Sequence, residues 1–152
     1  MSLRYPRHVT LLVVLDERIE RRVEAVRSDR DWPCRKGCDL CCRSLANPPR
    51  LSESEWLRID AVLDDARRAR ARAHDDPRVC PFLEEGACSI YAERPLACRT
   101  YGYYVEDGRG LWCDDIEQAV EAGLAEGVVF GNAAGLGDDL GPVRPLDAWL
   151  AD

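Results

Sequence analysis

Eight cysteines fall in two short stretches of a 152-residue chain. The first stretch reads Pro33-Cys34-x3-Cys38-x2-Cys41-Cys42, and the second reads Cys80-Pro81-Phe82-Leu83 followed by Cys88, Cys98 and Cys113. Thiolates two or three residues apart can converge on one soft metal, because a short turn carries their sulfurs to a common centre. Cysteines that served only as buried apolar side chains would not cluster this way. At about 5% of the chain (8 of 152) they fall short of the roughly 8–10% that marks a disulfide scaffold. A domain of this length buries roughly 68–70% of its unfolded surface and does not need covalent staples. The candidate metal ligands are therefore Cys34, Cys38, Cys41, Cys42, Cys80, Cys88, Cys98 and Cys113. They allow two four-thiolate sites, or one larger site with spare structural cysteines. Cys41 and Cys42 are expected not to share one tetrahedral ion, because consecutive side chains diverge.

Compartment decides whether thiols stay free. Arg4 and Arg7 precede only the apolar run Val9 to Leu15, which Thr10 interrupts, and Asp16-Glu17-Arg18 follows with no small-residue cleavage site. The run is far below the roughly 20 residues that span a bilayer. A cytoplasmic protein without membrane contact is expected, where cysteines stay reduced and bind metal more often than they pair. The formal charge of −7 speaks against a nucleic-acid partner, since phosphate contacts need a basic footprint.

Hydrophobic spacing predicts a helix from about residue 10 to residue 28, with Leu12, Leu15, Ile19, Val23 and Val26 on one face, stopped by Trp32-Pro33. Ser52 and Glu55 form a capping box, and Leu51 with Trp56 forms a hydrophobic staple around it. One helix is expected from there to about His74, with Trp56, Ile59, Leu63 and Ala66 inward and Arg67 to Arg72 as a solvated basic end. Cys88 to Tyr91 is a candidate strand, and Tyr101–Val105 and Leu111–Cys113 flank a hairpin connection at Glu106-Asp107-Gly108-Arg109-Gly110. Asp114 is expected to cap a third helix that carries Ile116, Val120 and Leu124 and stops at Gly127. Residues 128–152, rich in glycine and proline, suggest a loose tail whose Trp149 and Leu150 pin its end to the core. The expectation is one small α+β domain over residues 1–152, with helices packed around a cysteine-ligated metal core of short strands and a hairpin at residues 33–117.

Paired C-x2-C knuckles would favour structural zinc, but only Cys38 and Cys41 form such a pair. Three cysteines in C-x3-C-x2-C can face one cubane, and iron–sulfur clusters take four thiolates. The same spacing marks radical enzymes that bind S-adenosylmethionine, but those need a large β/α barrel that this layout does not build. Spacing alone leaves an iron–sulfur cluster and zinc both open.

The run Cys80-Pro81-Phe82-Leu83, Cys88-Ser89-Ile90-Tyr91, Arg94-Pro95, Cys98-Arg99, Tyr101 and Cys113 resembles the YkgJ-type cysteine-cluster proteins, the CxxCxxCC or zinc- or iron-chelating domain. The resemblance covers roughly Pro33 to Glu117 and gives all eight cysteines a place; Cys34-x3-Cys38 is one residue longer than the family's first spacing. The family is similar to the cysteine-rich part of FliB-type flagellin lysine methylases, which implies an iron–sulfur cluster and, together with the spacing, places that cluster slightly ahead of zinc. The resemblance implies metal binding and says little about activity. Four thiolates around one zinc ion or one oxidised cubane leave a net charge of about −2, which needs partners when buried. Arg94 and Arg99, which flank Cys98, are the candidate cofactor-binding donors behind the ligands. His8 and His74 lack ligand spacing and are expected at the surface. No Ser-His-Asp grouping, phosphate loop or paired-carboxylate motif points to catalysis. The function expected is a metal-binding cysteine-cluster protein whose protein partner the sequence does not name. The alternatives are a zinc or iron carrier, or the accessory cluster domain of a methylase-like enzyme.

Overall fold

The apolar residues placed on the first helix are all buried. A computed structural model describes residues 5–152 and shows helix α1 at Tyr5–Arg27, with Leu12, Leu15, Ile19, Val23 and Val26 on its covered face. The helix starts earlier than Thr10, since Pro6 falls in its first turn, where proline is tolerated, and Arg4 lies outside the described residues. Along the chain follow α2 (Leu40–Arg43), β1 (Arg50–Ser52), α3 (Glu53–Asp60), α4 (Asp65–Ala73), β2 (Leu83–Glu84) and β3 (Ala87–Cys88). Then come α5 (Leu96–Thr100), β4 (Tyr104–Glu106), β5 (Arg109–Leu111), α6 (Asp114–Glu121), β6 (Gly131–Asn132), β7 (Val143–Pro145) and α7 (Leu146–Ala151). The fold class is α+β, and the strands form three small sheets among the described residues.

The chain packs as two compact units. One comprises the residues up to Lys36 together with Arg99–Asp139; the other is Gly37–Cys98 with Leu140–Asp152. In the first unit β4 pairs antiparallel with β5 and parallel with β6. Asp107 and Gly108 turn the hairpin with φ of 49° and 81°, the left-handed pair that a two-residue connection of this twist requires. Gly131 on β6 lies so close to the Tyr104 ring that a Cβ there would stand 2.5 Å from it. Trp32 is buried, and its indole N–H donates to the Gly102 carbonyl at 2.9 Å. Helix α6 begins after Cys113, not after Asp114, whose side chain therefore sits in the first turn rather than at the cap. It also ends before the expected Gly127: Ala122 closes it and Gly123, at φ 94°, reverses the chain in the left-handed region.

The second unit carries the capping box as expected. The Ser52 side chain accepts from Glu55 N–H, and the Glu55 carboxylate takes the Ser52 N–H in return. The single helix expected from Ser52 to His74 is in fact two, because Asp64 starts a second one by accepting the Arg67 N–H at 2.7 Å. An acceptor side chain at that position competes with continuation of the helix. Residues 128–152 are built into structure rather than left loose. β7 pairs antiparallel with β1 in register Arg50 opposite Pro145, and Leu146 and Leu150 of α7 are buried with Leu51, Ile59, Leu63, Phe82 and Ile90. Trp149 stacks on Trp56 at 6.3 Å, and its indole N–H donates to the Leu51 carbonyl at 2.9 Å.

Ile59 is fully buried at the centre of this apolar cluster. Ile59→Ala should lower the unfolding free energy by about 2–5 kcal/mol, the usual cost of emptying such a site, measured by chemical denaturation.

Candidate metal centre

Two backbone ties join the two cysteine stretches. Cys80 N–H donates to the Cys42 carbonyl, and Leu45 N–H donates to the Arg78 carbonyl, both at 2.7 Å. They fasten the short helix α2, which carries Cys41 and Cys42, beside the loop that carries Cys80. Cys88 arrives by a tight hairpin. Glu85 and Gly86 turn at φ 50° and 76°, so Leu83 lies opposite Cys88 on β3. Cys98 lies in α5, where its N–H donates to the Pro95 carbonyl at 2.9 Å. Cys80 and Cys88 pack against the apolar cluster around Ile59.

The structure regroups the two stretches seen in sequence. Cys41, Cys42, Cys80, Cys88 and Cys98 neighbour one another in the second unit, linked by thiol hydrogen bonds or by mutual charge. Cys38 precedes α2 and is exposed. Cys34 and Cys113 belong to the first unit. Cys34 directs its thiol to the Tyr101 carbonyl at 3.9 Å, its own carbonyl accepts the Tyr103 hydroxyl, and a Cβ on Gly102 would stand 2.7 Å from its sulfur. Cys113 is the residue from which α6 starts. The thiols of Cys41 and Cys42, expected to diverge, hydrogen-bond each other across the single turn of α2. All eight cysteines are free.

Gathered thiols make each other harder to ionise. The hydrogen bond that its thiol donates to Cys42, burial and the Cys42 charge all push Cys41 up strongly. At Cys42 the bond with Cys41 pulls downward, but the bond with Cys80, burial and the charges of Cys80 and Cys88 outweigh it and push it up to about 12. Burial first, then the charges of Cys41, Cys42 and Cys88, push Cys98 up to about 12. The Cys98 residue as a whole is only partly covered, but its thiol sits deep among protein atoms. Burial also raises Cys88.

Arg94 supplies the opposing charge, since it draws both Cys88 and Cys98 downward. Its guanidinium lies 3.6 Å over the Tyr91 ring and donates through Nε to the Tyr91 carbonyl at 2.8 Å. Arg99 belongs to the first unit, where it pairs with Asp16 of α1 at 3.2 Å. His74 is exposed, with Nε2 within 2.9 Å of the Asp76 carbonyl and 2.8 Å of the Val79 carbonyl. Among the described residues no three His, Cys, Asp or Glu side chains are set to hold a metal ion as they stand. The chemistry of the cluster nonetheless suits a soft metal, because its gathered donors are all thiols.

Buried-carboxylate anchoring is the feature that sequence pattern alone does not show. Glu55 is 3% exposed, and its second oxygen accepts the Leu96 N–H at 2.7 Å, far along the chain at the start of α5. The hairpin at Glu85-Gly86 was also missed, since its one signal is the glycine.

Short helices and hairpins that carry thiols to one place define a cysteine-cluster protein. The chain belongs to the CxxCxxCC family, described as "Putative zinc- or iron-chelating domain", whose model matches residues 33–118. It is thus a metal-binding cysteine-cluster protein by family. Comparison with curated proteins and with solved structures finds no match. Among the described residues no helix is long and apolar enough to cross a membrane.

The raised thiols carry a pH signature in the metal-free, reduced protein. Their protonated forms are favoured by folding, so the stabilisation is complete below the ordinary thiol value of 9.0 and is lost as pH climbs through about 12. Denaturation midpoints between pH 7 and 11 should hold steady up to about 9 and fall beyond it. A midpoint that rises above pH 9 would contradict the arrangement.

Proposed function

We propose that the protein holds one four-thiolate metal centre in its second unit, an iron–sulfur cluster ahead of zinc. The ligands come from Cys41, Cys42, Cys80, Cys88 and Cys98. The observation that carries this reading is the meeting of both cysteine stretches at the Cys42–Cys80 backbone tie. Cys34, Cys38 and Cys113, the other three thiols expected as ligands from the sequence, are not among the ligands of this centre. The thiols now hydrogen-bond one another, so binding replaces S–H contacts by sulfur–metal bonds and releases protons. Such a metal supplies a cross-link for the loops, and as a cluster it also supplies one-electron chemistry. Arg94 balances the charge of the ligated thiolates from beside Cys88 and Cys98. We infer a cytoplasmic location, because reducing compartments keep thiols free for a metal.

A second reading, metal handling, is favoured by one observation: Cys38 and Cys41 are exposed. A carried ion needs thiolates that a chelator or a partner can reach. Protein purified without oxygen should show broad visible absorption and iron with acid-labile sulfide. A colourless protein with about one zinc per chain overturns the cluster, and a folded protein with no metal overturns the centre. Mild chelation separates the roles, since a resident metal survives it and cargo is lost.

A further inference from the structure

One turn of α3 grips the segment that delivers Cys98. Glu55 is buried and divides its carboxylate: Oε2 takes the Ser52 N–H at 2.7 Å and the Ser52 hydroxyl at 2.8 Å, while Oε1 takes the Leu96 N–H at 2.7 Å. Arg58, three residues on and hence on the same face of the helix, donates Nη2 to the Arg94 carbonyl at 2.9 Å. Leu96 opens α5, whose third residue is Cys98. A capping box needs only the Ser52 side of the carboxylate, so the bond to Leu96 is additional to it. A hydrogen bond to a carboxylate from a backbone N–H is charge-assisted, and here it is out of water.

We propose that Glu55 is a positioning residue for the metal centre: its carboxylate fixes the first turn of α5, and with Arg58 it sets where Cys98 presents its thiol beside Arg94. The inference rests on the reading above, with Cys98 a ligand. Glu55 touches no ligand itself. Its effect passes through the Leu96 N–H and one turn of backbone. Groups that hydrogen-bond a ligand directly typically carry 10–100-fold in metal affinity, and Glu55, one turn of backbone removed, should carry about the low end, roughly tenfold.

The test is zinc affinity of the full chain, measured by competition with a chromophoric chelator, beside thermal unfolding of the metal-free protein. Glu55→Gln puts an amide that must donate on one side where two N–H groups and a hydroxyl need an acceptor. Ser52→Ala removes the cap hydroxyl and leaves the Leu96 bond in place. The expected result is that both variants lower the unfolding temperature, while only Glu55→Gln weakens zinc binding, by roughly tenfold. If Glu55→Gln does not fold, Arg58→Gln, which frees the Arg94 carbonyl and leaves the box intact, should weaken zinc binding at least threefold. Affinity losses that simply track unfolding temperature across the variants would make Glu55 an ordinary cap and overturn the proposal. Cys98→Ala keeps the two layers apart. Unchanged zinc binding in that variant removes Cys98 from the centre and the inference with it. A large loss there with none in Glu55→Gln overturns the positioning role alone.

Discussion

Two backbone hydrogen bonds, from Cys80 to Cys42 and from Leu45 to Arg78, hold the cysteine cluster together. They matter because little else near the cluster is regular structure: α2 is one turn, and β2 and β3 pair over two residues each. A pair this short cannot stand alone in water and needs packing behind it. That packing comes from Phe82, buried between Cys80 and the β2 strand, and from Ile90, just past Cys88. The cysteines therefore alternate in sequence with apolar anchors that are themselves in the core. Local turn chemistry aims the thiols, and the anchors stop the turns from fraying.

Electrostatics then sets the terms on which a metal can enter. Cys41, Cys42, Cys88 and Cys98 share one partly dry place where burial and neighbouring charge oppose ionisation, so in the metal-free cluster these four keep their protons. A soft cation reverses the balance, because ligation deprotonates the thiols and pays the desolvation cost through strong bonds. Arg94 works in the same direction as the metal. It is held over Tyr91 and by its own carbonyl, so its charge stays beside Cys88 and Cys98 without a conformational search.

Much of the fold was legible because its signals are local. The apolar face of α1, the Ser52–Glu55 box and the Asp107-Gly108 turn each announce themselves within a few residues. The cysteines named the chemistry in the same way. What could not be read was the pairing between stretches. Nothing in C-x3-C-x2-C says that Cys42 meets Cys80, or that the first and last cysteines, Cys34 and Cys113, belong to a different unit from the middle six. The second oxygen of Glu55 is invisible for the same reason, since a capping box looks complete without it. The break between α3 and α4 was open to reading at Asp64, but the unbroken apolar spacing through Leu63 and Ala66 masked it.

The glycine- and proline-rich C-terminal stretch changes most in meaning. The family match stops at residue 118, yet the apolar cluster that backs Cys80 and Cys88 includes Leu146 and Leu150. β7 also covers β1, the strand that leads into the Ser52–Glu55 box. Arg72 of α4 closes the arrangement by donating to the Leu150 carbonyl at 2.9 Å. Residues beyond the family's span thus form one wall of the support on which the thiols rest. Truncating them would expose Ile59 and Leu51 to water and loosen the capping box before any ligand was touched, because hydrophobic cover and the buried carboxylate act on the same helix.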